Sequence, residues 1–349
     1  MGSSKSCSYA SPHFDQPCSI AYNTLREDSK LRHRAIFDTT LLFLYFITAF
    51  GAAVIITSSL FHYGASATCS KPLVRREWRS LNAHEKEEYI SAAKCMYNAS
   101  SQLVGEGSVQ DDFTWVHLMD SGAAHEDASF LPWHRMFVHI YEQKLREQCG
   151  FQGQLPYWDW SEDWQNLTKS SIWNSTNGFG GEGRDEEGCV SGPFGDVQVR
   201  YKDNGTVSPH CLTRSFLNYD SGEVGSMSGD LIKPERMGRL ARAEDYGVFR
   251  YILEGTLHNV IHLEVTGDLD ELSAPNDPIF WLHHVQLDRL WWQWQQEDPA
   301  RLQDYGQYKK QPGRNVSLHD TLQQGGLVDK NILVHQVMDT ESGILCYRY

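Results

Sequence analysis

Basic residues are scarce in this sequence. Its 349 residues include 31 Lys and Arg against 45 Asp and Glu, which gives a formal net charge of -14 and an isoelectric point near 5.5. A protein that binds nucleic acid usually carries clustered Lys and Arg that neutralise phosphates. The charge balance therefore argues against nucleic acid as a partner and favours small molecules.

Charged residues are missing altogether from one segment. Residues 39–61, TTLLFLYFITAFGAAVIITSSLF, would form a helix roughly 35 Å long at ~1.5 Å per residue, which spans a hydrocarbon core of about 30 Å. One alternative is a buried core helix, but helices of this length in globular proteins usually carry a polar stripe, and this run has only Thr, Ser and Tyr as polar residues. We predict one transmembrane helix that acts as a signal anchor. The alternative is a cleaved signal peptide that ends near Ala65, Ser66 and Ala67.

The two flanks of this run differ in composition. Residues 1–38 are polar and of mixed charge, and they predict a disordered cytosolic tail. Asn-x-Ser/Thr triplets, the acceptors of N-glycosylation, occur only after the run. Their asparagines are Asn98, Asn166, Asn174, Asn204 and Asn315. We therefore predict a single-pass membrane protein of the secretory pathway, with residues 62–349 forming a lumenal or extracellular catalytic domain.

The cysteines agree with this topology. An even number in an oxidising compartment predicts up to three disulfides, and the six that follow the run are Cys69, Cys95, Cys149, Cys189, Cys211 and Cys346. We expect Cys189 to pair with Cys211, because they bracket a loop that contains Gly and Pro. Cys7 and Cys18 precede the run and are expected to stay reduced in the cytosol.

Apolar periodicity predicts a mainly α-helical catalytic domain. Residues with helical spacing recur over about 75–97, 130–148, 246–265 and 278–297, and no internal repeat is evident. The stretch of about 161–232 is rich in Gly, Ser, Asn and acidic residues. It looks too polar for core, and we predict that it forms surface loops around an active-site mouth.

Two groups of histidines have the spacing of metal ligands. His258 and His262 are four residues apart, which places both imidazoles on one face of a helix. Asn259 follows His258, where a zinc peptidase with an HExxH motif needs a Glu. His283 and His284 follow in an aromatic helix. Neighbouring helical residues point about 100° apart, so only one of these two can face the same metal.

The upstream group consists of His117, His125 and His134. We expect the first two on a helix end and in a loop, and the third at the start of a helix. Imidazoles without Cys or carboxylate favour copper or zinc, and copper stands highest in the order of divalent affinities. Two such triplets predict a coupled pair of metal ions.

Two neighbours of His284 are candidates for supporting it. Phe280 lies one turn before His284 and can pack against an imidazole. Asp288 lies one turn after it and can stabilise or orient an imidazole. Whichever of His283 and His284 does not bind metal is expected to have a supporting or structural role.

Four motifs give the chain a resemblance to a known family. FLPWHRMF, LPYWDW, LEGTLHNVIH and NDPIFWLHHVQLDRLWWQW, within roughly residues 70–297, resemble the tyrosinase, catechol oxidase and hemocyanin family of coupled dicopper proteins, and most closely its short fungal tyrosinase-like oxidases. The resemblance implies a four-helix bundle with long loops around two copper ions. The implied ligands are His117, His125 and His134 for the first copper and His258, His262 and His284 for the second, with His283 left unligated.

The resemblance also implies oxidation of phenols by dioxygen, as monophenol hydroxylation, o-diphenol oxidation to a quinone, or both. Glu254 and Asn259 match the family's Glu and Asn that hold a proton-accepting water, which favours monophenol hydroxylation. The alternative for Glu254 is a surface carboxylate. The chain departs from the family at Ala123, where many members have a Cys linked to the second ligand by a thioether. The 55 residues after Trp294 are also too few for the lid domain of many fungal tyrosinases.

Two other functions use the same donor set: an oxygen carrier like hemocyanin, and a catalytically silent copper protein. All six ligands are present, which favours retained copper. The expected substrate is a small phenol or a tyrosyl peptide. A tailoring step of fungal secondary metabolism, or pigment formation, is the expected setting.

Overall fold

The computed structural model describes residues 69–183, 188–309 and 313–349. Within these ranges no helix is both long and apolar enough to cross a membrane. The predicted tail at 1–38, the predicted transmembrane run at 39–61, and Cys7 and Cys18 all lie outside the described residues.

Helices dominate the described chain, which confirms the predicted mainly α class. The described residues form seven α-helices: α1 (Ala83–Met96), α2 (Val109–Ala124), α3 (Phe130–Cys149), α4 (Pro234–Ala241), α5 (Tyr246–Ile252), α6 (Asn259–Val265) and α7 (Ile279–Gln296). A π-helical turn, Leu253–His258, joins α5 to α6. The predicted helix over 246–265 is therefore one continuous helical segment with a wider turn at its centre. Helix α3 packs against α1, α2 and α7.

Local sequence sets one end of each of the two helices that carry the upstream histidines His117 and His134. At the start of α2, the Ser108 side chain accepts a hydrogen bond from the Asp111 N–H, and the Asp111 carboxylate accepts one from the Ser108 N–H, which is a capping box. Helix α3 ends at Gly150, whose φ of 67° lies in the left-handed region that favours glycine.

The strands described are short and form two-stranded sheets. β1 (Leu73–Val74) pairs in parallel with β6 (Tyr347–Arg348), with Leu73 opposite Tyr347. The two antiparallel pairs are β2 (Gln198–Tyr201) with β3 (Val207–Cys211), and β4 (Thr321–Leu322) with β5 (Ile332–Leu333). The β1–β6 pair brings the beginning and the end of the described chain together.

The polar stretch 161–232 contributes to the core, so the prediction that it is too polar for core is wrong. Ile172, Phe179 and Phe194 are completely buried. The Phe179 ring lies 5.5 Å from Phe194 and 5.0 Å from Trp78, between ring centroids. Burial of one such side chain stabilises the fold by roughly 1.5–3 kcal/mol relative to exposure. A few well-spaced apolar residues are therefore enough to hold long loops against the helices.

Three disulfides are formed among the described cysteines. The predicted pair Cys189–Cys211 is confirmed, and the others are Cys69–Cys346 and Cys95–Cys149. Cys69–Cys346 closes the chain beside the β1–β6 pair, across 277 residues of sequence. The expectation of up to three disulfides after the apolar run agrees with this arrangement.

Candidate metal centre

Seven histidines form two compact groups. In each group, one ring nitrogen from every member lies within 4.8 Å of the others. The first group contains His117, His125 and His134, and the second contains His258, His262, His283 and His284. These are the residues singled out by sequence, brought together from positions up to 167 residues apart, as the spacing of the motifs requires.

Helices position every one of these side chains. His134 lies in the second turn of α3, His258 ends the π-helical turn, His262 lies in α6 and His284 in α7. His125 is the residue at which α2 ends. The expectation for the first triplet was wrong in one respect: His117 lies inside α2 and His125 at its end, whereas we expected a helix end and a loop.

Backbone carbonyls orient four of the imidazoles through Nδ1. Because a carbonyl oxygen only accepts hydrogen bonds, each of these Nδ1 atoms carries the proton and each Nε2 presents a lone pair. The pairs are His117 with Leu272 (2.7 Å), His125 with Ser121 (3.2 Å), His134 with Phe130 (2.9 Å) and His262 with Leu269 (2.5 Å). These acceptors are backbone atoms, so the sequence carries no signal for them.

The Nε2 atoms fit a bound metal cation. In the first group, Nε2 of His117 and Nε2 of His134 lie 3.5 Å apart although both present lone pairs. In the second, the buried Nε2 atoms of His258, His262 and His284, and also that of His283, have no hydrogen-bond partner among the described residues. Buried polar atoms are normally satisfied, so the Nε2 atoms that present lone pairs indicate a missing positive partner.

The protonation state of the rings agrees with this interpretation. Burial lowers the pKa of all six predicted ligands, to about 4 for His125 and His262. Neutral imidazoles are therefore present at neutral pH. A set of three neutral imidazoles per metal, with no thiolate or carboxylate, suits copper or zinc.

The two groups adjoin each other. The rings of His134 and His284 stack with centroids 4.4 Å apart and an interplanar angle of 11°. Phe280 packs 4.1 Å from the His284 ring and 5.2 Å from the His117 ring, which is the contact we expected of it. One aromatic side chain thus supports a histidine of each group.

Trp160 distinguishes His283 from its neighbour. The indole N–H of Trp160 donates to Nδ1 of His283 at 3.2 Å. Indole is a donor only, so this Nδ1 holds a lone pair and Nε2 of the neutral ring carries the proton. A protonated Nε2 is unsuited to bind metal, which supports His284 as the ligand. Sequence analysis did not identify Trp160 as a partner of His283, although Trp160 lies in the LPYWDW motif that contributes to the family resemblance.

Asp288 does not orient an imidazole, so that expectation is wrong. Its Oδ1 accepts from Arg135 Nε at 2.5 Å, and its Oδ2 accepts from the hydroxyl of Tyr347 at 2.5 Å. Tyr349 donates to the same oxygen, and Arg75 lies 3.4 Å away. Burial disfavours the Asp288 carboxylate, but the charges of Arg135 and Arg75, together with the hydrogen bonds from Tyr347 and Tyr349, lower its pKa. Asp288 therefore links α7 to α3 and to both ends of the described chain.

Glu254 is a buried carboxylate and not a surface one. It is 5% exposed, its Oε2 accepts from Arg250 Nη1 at 2.5 Å, and its Oε1 accepts from the backbone N–H of Glu126 at 2.5 Å. Burial raises its pKa to about 7, against the opposing effects of Arg250 and of the Glu126 N–H. The sequence did not identify Arg250, but its spacing of four residues from Glu254 on a helix was a signal.

The π-helical turn aligns Asn259 with Glu254. The backbone N–H of Asn259 donates to the carbonyl of Glu254, five residues earlier. The Asn259 side-chain oxygen lies 2.8 Å from Nδ1 of His258, so that nitrogen donates and Nε2 is left for a metal. Asn259 therefore orients a predicted ligand, a role that the sequence did not suggest.

Comparison with known proteins agrees with this site. The family described as the common central domain of tyrosinase matches residues 107–297, which include all seven histidines. The chain belongs to the tyrosinase family. It is 45% identical over 296 residues to the tyrosinase-like protein phomQ2 of Diaporthe leptostromiformis, covering 81% of this chain and 74% of that protein. It is 43% identical over 315 residues to the tyrosinase ustQ of Aspergillus flavus, covering 85% and 86%.

A solved structure shows the same tyrosinase fold. A polyphenol oxidase variant from Thermothelomyces thermophila is 27% identical, with a TM-score of 0.67, over 80% of this chain and 88% of that one. Tyrosinases are copper oxidoreductases with a binuclear centre, and this member retains both histidine clusters. The predicted glycosylation asparagines all have exposed side chains; they are Asn98, Asn166, Asn174, Asn204 and Asn315. Their modification stays a prediction.

Proposed function

We propose that this tyrosinase-family chain oxidises phenols with dioxygen at two copper ions. The observation that carries the proposal is the convergence of the two histidine groups: Nε2 of His117 and of His134 lie 3.5 Å apart, and the buried Nε2 atoms of His258, His262 and His284 have no partner among the described residues. The first copper would be held by His117, His125 and His134, and the second by His258, His262 and His284. When bound, the copper pair supplies dioxygen activation and accepts the electrons that leave the phenol.

Glu254 is the proposed proton acceptor for monophenols. A carboxylate oxygen has two lone-pair sites, and each Glu254 oxygen uses one of them, for Glu126 and for Arg250. The remaining sites are available to hold a water that receives the phenol proton. Burial raises the pKa of Glu254 to about 7, near the working pH, which suits a general base. Asn259 is proposed to hold the same water through its amide N–H groups.

Partial exposure of the site favours an enzyme over an oxygen carrier. His125 and His262 are each partly exposed, so a substrate can approach both groups of histidines. A shielded carrier or a silent copper protein needs no such approach. The substrate is proposed to be a phenol or a tyrosyl peptide, used in pigment formation or in a tailoring step of fungal secondary metabolism. Residues 39–61 are proposed to anchor the enzyme, with the site in the secretory lumen or outside the cell.

Oxygen uptake tests this function directly. The purified, copper-loaded protein is supplied with a catechol, a panel of monophenols and tyrosyl peptides, and dioxygen consumption is recorded. We expect sustained uptake with the catechol and with at least one monophenol or tyrosyl peptide. Reversible binding of dioxygen without turnover of any substrate would support a carrier instead. A His284→Ala variant is the control for oxidation by copper that is not held at the site.

A further inference from the structure

The first copper's second ligand sits at the start of a short connecting segment. His125 ends α2, and residues 125–129 lead into α3. The next residue, Glu126, has a φ of 56°, which is uncommon for a residue other than glycine. The Nδ1 contact of His125 is also the longest of the four carbonyl contacts, at 3.2 Å. The direction of this imidazole therefore depends on what holds the segment behind it.

Asp127 is the most heavily bonded residue of this segment. Its Oδ1 accepts from the Ser129 N–H at 3.1 Å and from the Ser129 hydroxyl at 3.0 Å. Its Oδ2 accepts from Nε2 of Gln307 at 2.7 Å, and Arg314 lies 3.4 Å from Oδ1. Gln307 and Arg314 both follow α7, about 180 residues later in the chain. A later part of the chain thus contacts Asp127, the second residue after a predicted copper ligand.

Other parts of the chain hold the same segment. The Tyr246 hydroxyl donates to the Ala128 carbonyl, and the Glu126 N–H donates to Glu254. The one hydroxyl proton of Ser129 is shared between Asp127 Oδ1 and the carbonyl of Ala123, two residues before His125. Ala123 offers no side chain for a covalent link to this histidine. Non-covalent contacts are therefore what fixes the segment among the described residues.

We propose that Asp127 and Gln307, assisted by Arg314, form a clamp that positions His125 for the first copper. Asp127 and Gln307 act as positioning residues, since neither is a ligand and both act through the backbone that carries His125. Arg314 is about half exposed, so its ion pair is screened and the Gln307 contact is the stronger of the two. The part of the proposal that concerns copper rests on the proposed function. The clamp itself is a property of the protein without metal.

The test compares Gln307→Ala and Asp127→Ala with the unaltered full chain. Mutating a residue that orients a metal ligand typically weakens metal affinity by roughly 10- to 100-fold. We expect a chelator to remove one of the two coppers roughly 10-fold faster or more from both variants, while the other copper leaves at the normal rate. Loss of one copper from a coupled pair leaves a single Cu²⁺ with an electron paramagnetic resonance signal, which identifies the partly emptied centre. Gln307→Ala leaves residues 125–129 unaltered. Its copper release therefore tests the clamp even if Asp127→Ala does not fold.

Asp320→Asn is the matched control, because it removes the other carboxylate partner of Arg314, at 3.0 Å, without touching the segment. It should release copper like the unaltered chain. Parallel loss of both coppers, or unaltered release in the Gln307 and Asp127 variants, would overturn the clamp. Hydrogen exchange of the Glu126 amide in metal-free protein separates the two proposals. Faster exchange in both clamp variants is expected even if the chain takes up no copper, and unchanged exchange contradicts the clamp independently of the proposed function.

Discussion

The indole N–H of Trp160 donates to Nδ1 of His283, 3.2 Å away, and thereby separates two histidines that are neighbours in sequence. His283 and His284 both lie in α7 and both have a nitrogen in the second group. The tryptophan fixes the His283 tautomer in which Nε2 is protonated, whereas His284 has neither nitrogen bonded among the described residues. We therefore propose His284, and not His283, as the copper ligand.

This assignment predicts different results for two matched variants. His284→Ala should bind one copper fewer per chain and lose phenol oxidation, because the second copper loses a ligand. His283→Gln keeps an acceptor for Trp160 and should retain both coppers. Copper content and oxygen uptake of the two purified proteins provide the measurement. Equal loss of copper from the two variants would mean that His283 is a ligand as well.

Replacing the proposed base should separate the two phenol activities. A catechol has a more acidic hydroxyl than a monophenol and needs less help from a base. Glu254→Gln should therefore keep both coppers and most catechol oxidation, while monophenol turnover falls by about 10²–10⁴, as for a lost general base. Both rates are measured on one copper-loaded preparation. A parallel fall of both activities with copper intact would make Glu254 structural.

The same carboxylate predicts the pH profile. Burial raises the pKa of Glu254 to about 7, and only the ionised form accepts a proton. Monophenol turnover should therefore fall as the pH drops through about 7 and level off above it. Positive charge from bound copper favours the ionised form of Glu254, so the fall in turnover on the acid side of the profile, its acid limb, lies at pH 7 or lower. The Glu254→Gln variant should lack the limb, and its persistence there would assign it to another group.

Much of the candidate site could be predicted from the sequence because its histidines come from strongly periodic helices. The motif around His134 predicts a helix over 130–148, and α3 spans Phe130–Cys149. The spacing of His258 and His262 places them on one face, and their rings lie 4.4 Å apart. Local pattern is enough in such cases because neighbours on a helix determine which side chains share a face.

The remainder depends on contacts between distant residues, which a single sequence does not show. Asp288 has the spacing to reach His284, but Arg135 and Tyr347 from other parts of the chain bond it instead. No residue type in the sequence signals the π-helical turn before Asn259. The anchoring of Asp127 by Gln307 joins residues 180 positions apart. Long-range pairing of this kind is decided by tertiary packing and not by local propensity.

Glycosylation tests the predicted topology. The five candidate asparagines are exposed, and all of them follow residues 39–61. If the domain faces the secretory lumen, glycosidase treatment of membrane-expressed protein should increase its electrophoretic mobility. A chain in which the five asparagines are changed to Gln is the control and should not respond. Unchanged mobility of the unaltered chain would contradict a lumenal domain, and protease protection in intact vesicles checks the same point separately.

Metal analysis of the purified protein tests the central claim most directly. Two histidine triplets with convergent Nε2 lone pairs predict two coppers per chain. The measurement is elemental analysis of protein purified after expression with copper, with a variant in which His117 and His284 are both changed to Ala as the control. We expect two coppers in the unaltered chain and a clear loss in the control. One zinc and no copper in the unaltered chain would contradict the proposed dicopper oxidase.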